Sequence, residues 1–150
     1  MTGQGANTNY RNCVLDLMSF SLGMPALIEM PDLHRLVDLC QELELSFIEL
    51  NMNMPDNCPE ALDPLEVRDI SRSTGIEFTL HSPDELDLGS LHPTVRDGHL
   101  SRMREALGWS SQAGVRVINM HMSPGIYFTL PDRRVWIYEQ YIDEFTFDPP

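Results

Sequence analysis

Along this chain, short runs in which apolar and polar residues alternate are separated by longer runs whose apolar residues recur every three to four positions. A period of two belongs to a half-buried strand, and a period near 3.6 to a helix that buries one stripe. The strand–helix unit repeats four times, at roughly 30 to 40 residues per unit. Parallel neighbours need a helix-sized connection, so this order predicts an α/β chain with a parallel sheet and right-handed crossovers.

Residues 1–12 are polar and rich in Asn and Gly, and read as a disordered lead-in; 13–150 form the folded part. Cys13–Phe20 is the first expected strand, and the SLGMP that follows is an expected turn around Gly23 and Pro25. Residues 32–43 form a helix with Leu33, Leu36, Val37, Cys40 and Leu43 on its stripe. His34 falls off that stripe and reads as a solvated histidine. Residues 46–51 form the second strand, with Phe47, Glu49 and Asn51 opposite Ile48 and Leu50.

Asp63-Pro64-Leu65-Glu66 starts the next helix, with Asp63 as N-cap, proline at the first position and Glu66 closing a capping box. Gly75 ends it as a left-handed C-cap. In the third strand, Ile76–His81, the residues Ile76, Phe78 and Leu80 lie opposite Glu77, Thr79 and His81. Pro93 opens a long helix whose apolar members are Val95, Leu100, Met103 and Leu107, with Gly98 as a break in its first turn and Gly114 as its end. In the fourth strand, Val115–His121, Val117, Asn119 and His121 lie opposite Ile118 and Met120. A last helix is expected from about Asp132, on Val135, Tyr138, Ile142 and Phe145.

Two of these strands end in histidine. His81 and His121 both lie on the polar face, and both precede a proline-containing turn. Adjacent parallel strands would carry both imidazoles to the carboxyl end of the sheet, where parallel α/β proteins do their chemistry. A single strand-end histidine is more often a satisfied polar residue than a ligand, but two at matching ends point to a site. Glu49 on the same type of face needs a partner: a metal, a cation or a substrate hydroxyl if functional, an arginine or the backbone if structural. His92, before Pro93, and His99, on a helix, have no such support, and Cys58 is a weak alternative as a zinc ligand. There is neither a GxGxxG nor a P-loop, so nucleotide binding is unsupported.

The net charge of −13 comes from 23 acidic residues against ten arginines, with no lysine. Such a chain repels phosphate backbones, which argues against nucleic acid as a partner. The three cysteines are an odd number without metal-type spacing, which fits a reducing compartment. The N-terminus lacks an apolar signal region, and no run approaches the ~20 apolar residues of a membrane helix. The expectation is a cytoplasmic protein without membrane contact.

Three segments, FIELN (47–51), FTLHSPDELDLGSLHPTVRD (78–97) and AGVRVINMHMSPG (113–125), carry a family resemblance. Over approximately residues 13 to 142 the chain resembles the N-terminal half of a xylose-isomerase-like TIM barrel, the superfamily of sugar phosphate isomerases and epimerases that also holds endonuclease IV-like nucleases. The resemblance implies a half or incomplete barrel of about four units, since a full one needs eight and about 250 residues. It implies His81 and His121 as metal ligands or substrate-binding residues, and Glu49 as a catalytic carboxylate. The implied cofactor is a divalent metal (Mn, Zn, Co or Mg), with an incomplete ligand set because the family's carboxylate ligands come from later strands. Met122-Ser123 depart from the family's direct step from histidine to Pro-Gly.

The implied reaction is metal-dependent isomerisation or epimerisation of a small-molecule sugar, by proton transfer through an enediolate. Two other classes stand beside it. One is a non-catalytic truncated fragment or self-associating half-barrel, that is, a homo-oligomer or a chain missing its C-terminal half. The other is a metal-dependent abasic-site endonuclease-like phosphodiesterase, which the acidic charge disfavours.

Overall fold

The computed structural model of the chain describes residues 20–123 and 125–140. Four strands, β1 (Gly23–Pro25), β2 (Phe47–Asn51), β3 (Glu77–His81) and β4 (Ile118–Asn119), form one parallel sheet in the order β1-β2-β3-β4. Helices α1 (Leu33–Glu42), α2 (Pro64–Thr74) and α3 (Pro93–Ala113) connect them in turn. The expected alternation of parallel strands with helices is therefore present.

The first described strand covers a segment that local sequence reads as a turn. The expected strand at 13–20 lies outside the described residues apart from Phe20, which is irregular, and so does the lead-in at 1–12. The expected turn around Gly23 and Pro25 is itself β1, in register with Phe47, Ile48 and Glu49. Tertiary contact explains both turn-type residues. A Cβ on Gly23 would collide with the Phe47 ring. Pro25 lacks a ladder donor, and an outermost strand tolerates that.

Helix α1 begins one residue after the expected start, with Asp32 as its N-cap and the Asp32 carboxylate accepting from the Arg35 N–H at 3.0 Å. Leu36, Val37 and Cys40 are buried, Leu33 is half-buried, and Leu43 lies exposed at the C-cap. Helix α2 is capped by Asp63, which accepts from the Leu65 N–H at 2.9 Å. The expected capping box is not the contact Glu66 makes: its carboxylate reaches His34 of α1 at 3.2 Å. Gly75 ends α2 in the left-handed region, at φ 78°.

Helix α3 runs through Gly98 without a break. Its buried face is Ala106, Trp109, Ser110 and Ala113, whereas Val95 and Leu107 are about half exposed. Small residues bring this helix close to its neighbours, and the Trp109 indole N–H donates to the Leu62 carbonyl at 2.8 Å. The largest aliphatics therefore do not mark the buried side. The start of the expected last helix is corrected as well. Strands β5 (Tyr127–Thr129) and β6 (Arg134–Trp136) form an antiparallel hairpin that contains Val135, and α4 (Ile137–Gln140) begins directly after it and reaches the end of the described residues. Ile142 and Phe145 lie outside the described residues.

The core forms on one side of the sheet. Ile48, Leu50, Phe78 and Leu80 pack with Leu36, Val37, Cys40, Val67, Ile70, Ala106 and Trp109 from the three helices. Burying each large aliphatic contributes about 1.5–3 kcal/mol. The opposite face carries Glu49, Asn51, Thr79, His81 and Asn119, none fully buried. No helix of the described residues is long and apolar enough to cross a membrane.

Candidate metal centre at the carboxyl end of the sheet

Strand alternation decides which side chains can meet. With Ile48, Leu50, Phe78 and Leu80 committed to the helix side, Glu49, Asn51, Thr79 and His81 must face the other way. The register places Asn51 beside His81 and His81 beside Asn119. Two ladder bonds continue past the strand ends: the Met52 N–H donates to the His81 carbonyl, and the Ser82 N–H to that of Asn119, each at 2.9 Å. The backbone under His81 is thus held from both sides.

His81 and His121 come together at this end, with ring centroids 4.9 Å apart and planes inclined by 50°. His81 is 17 % exposed and His121 64 %, so one imidazole sits in the floor and the other on the rim. Asp84, in the loop after β3, lies between them. Its Oδ1 is 2.9 Å from His81 Nε2 and 3.8 Å from His121 Nε2. One donor atom from each of the three residues lies within 4.8 Å of the others.

Asp84 was not foreseen from the sequence. The available signal was its place three residues after His81, in a turn-forming HSPD. What holds it comes from elsewhere: its backbone N–H donates to Asn53 Oδ1 at 2.9 Å, and the Asn53 N–H donates to Asn51 Oδ1 at 2.9 Å. The hydrogen bond with His81 holds the Asp84 carboxyl below the usual range; burial opposes this, and the hydrogen bond from Asn53 adds to it. The group is therefore ionised at neutral pH, as a metal ligand must be.

Glu49 is held by His81 and Asn119 rather than by an arginine or the backbone. Oε1 lies 3.5 Å from His81 Nδ1, and Oε2 accepts from the Asn119 side-chain amide. His81 thus has a carboxylate at each ring nitrogen. Beside the cluster is a half-open cavity of about 240 Å³, lined by Leu86, Leu88, Met120, His121, Met122 and Ser123 among others. Cys58, considered as a zinc ligand, instead directs its thiol at the Met52 and Met54 carbonyls.

Two imidazoles and one ionised carboxylate, converging from two strand ends, are a donor set that suits zinc, manganese or cobalt, with further positions left for water or substrate. No protein-family model matches the chain, and no curated protein matches its sequence.

Proposed function

We propose that His81, Asp84 and His121 bind a divalent metal ion, and that the four parallel strands and the helices between them belong to a xylose-isomerase-like barrel acting on a small sugar or sugar phosphate as an isomerase or epimerase. The observation that carries this reading is the convergence of the three ligand-type side chains at the carboxyl end of a parallel sheet. The one-sided layering supports it too, since a barrel also keeps its helices outside and its functional polar residues at the strand ends.

A divalent ion at this place would polarise substrate oxygens and stabilise negative charge developing on them. The chain's own residues supply the rest. His121, on the rim, also lines the cavity, and Asp84 lies between it and His81. His81, in the floor, is fixed by the ladder and by its two carboxylate neighbours. Leu86, Leu88, Met120 and Met122 offer apolar walls for the C–H faces of a sugar, while Ser123 and His121 supply polar contacts. The charge of −13 sets the nuclease alternative behind this one, because a DNA backbone would meet an acidic chain.

The test is calorimetric titration with Mn²⁺, Co²⁺ and Zn²⁺, on the wild type and on His81→Ala, Asp84→Ala and His121→Ala. Tight one-to-one binding that each substitution weakens at least tenfold is expected. Ketoses and their phosphates would then be screened for metal-dependent uptake of solvent deuterium at carbon. Metal binding indifferent to all three substitutions would overturn the assignment.

A further inference from the structure

Glu49 is the inward carboxylate nearest the cluster, and its chemistry is decided by what its two oxygens touch. A general base needs an oxygen free to meet a substrate proton. Oε1 of Glu49 faces His81 Nδ1 at 3.5 Å, and Oε2 is taken by the Asn119 amide. His81 Nε2, on the far side of the same ring, points at Asp84 Oδ1, the oxygen that also lies 3.8 Å from His121 Nε2. The line Asn119–Glu49–His81 therefore ends on the nitrogen that faces the other ligands.

We propose that Glu49 is a positioning residue: it accepts the Nδ1 proton of His81, fixes the ring orientation, and leaves Nε2 as the metal-binding nitrogen, while Asn119 anchors Glu49. This rests on the metal-centre reading above. A metal-bound histidine commonly donates its other N–H to a carboxylate, which sets the tautomer and raises the basicity of the ligating nitrogen. When metal binds, the Nε2 lone pair goes to the ion. Any proton on Nε2 passes to solvent, and the Nδ1 proton stays on the ring against Glu49.

The placement has a structural basis in all three strands. Glu49 belongs to β2, His81 to β3 and Asn119 to β4, and the register sets His81 directly beside Asn119. Glu49 is two residue pairs further from the strand ends, level with Thr79. From there its side chain supports the His81 ring from below rather than competing for the ion.

The experiment combines Zn²⁺ affinity with imidazole NMR on the full chain. In the zinc-loaded wild type, His81 should show metal-bound Nε2 and a downfield, slowly exchanging Nδ1 proton. Glu49→Leu should weaken zinc binding about 10- to 100-fold and abolish that protected proton. Glu49→Gln, whose amide oxygen still accepts, should restore part of both. Asn119→Ala, at the outer strand, should give a smaller loss in the same direction and serves if Glu49→Leu does not fold. A Glu49→Leu or Asn119→Ala protein that folds, binds zinc within about twofold of wild type and keeps the Nδ1 signal would overturn the role of Glu49 alone. Wild-type zinc binding no tighter than that of His121→Ala would remove the centre itself, and the role with it.

Discussion

Single side chains in this molecule are decided by what stands opposite them. Gly23 is required because its neighbour across the ladder is the Phe47 ring. Gly23→Ala should therefore lower the melting temperature, and a smaller residue at Phe47 in the same chain should recover part of the loss; equal melting of Gly23→Ala and wild type would contradict the contact. On the helical side, Arg102 bridges Glu60 and Glu105, tying α3 to the loop before α2. The Arg102 hydrogen bond holds the Glu60 carboxyl below its usual value and raises the guanidinium. A depressed carboxyl stabilises the fold at pH values above its unfolded pKa of about 4.3, and that contribution fades as pH falls through the lower folded value. The melting difference between wild type and Glu60→Gln should thus be present at pH 7 and close in acid. A difference that grows with acidity would contradict the pair.

At the level of elements, the helices start and stop on local chemistry but choose their buried faces by packing. Asp63 and Gly75 bracket α2 through a side-chain cap and a left-handed residue. Asp63→Ala should cost about 1 kcal/mol in denaturant unfolding, as caps of this kind do. Leu50, fully buried between sheet and helices, should cost about 2–5 kcal/mol as Leu50→Ala. If the smaller loss came from Leu50, the sheet–helix core would be misassigned. Helix α3 shows why periodicity alone misjudges a face. Its large aliphatics Val95 and Leu107 stand half in solvent, while Ala106, Ser110 and Ala113 allow close approach and Trp109 bonds to Leu62.

For the whole molecule, the consequence of sequential strand order is a sheet with two dissimilar faces. One is sealed by three helices; the other holds the polar residues that converge on His81, Asp84 and His121. A metal bound only by the folded state must stabilise it by mass action, about 2.7 kcal/mol at a hundred times the dissociation constant. Urea unfolding in saturating Zn²⁺ should shift accordingly for the wild type and not for His121→Ala. An equal shift in both would mean that the ion binds elsewhere.

Local sequence carries the material of the fold: the order of elements from α1 to α3, the cap of α2, and the two-faced character of β2 and β3. These depend on residues within a few positions of one another, and periodicity and capping report them directly. From the same order follows the meeting of His81 and His121, because His81 ends β3 and His121 lies two residues past the end of its parallel neighbour β4. Only the tertiary structure decided that Gly23–Pro25 is a strand, since its partner is Phe47 and not a neighbour in sequence. It alone made Arg134–Trp136 a strand where the expected last helix would begin, paired Glu66 with His34, and gave Glu49 its contacts with His81 and Asn119. Asp84 joined the cluster through Asn53, 31 residues before it in sequence. Each of these depends on a contact across the sheet or between loops, and no local pattern carries the position of a partner that the fold must first bring near.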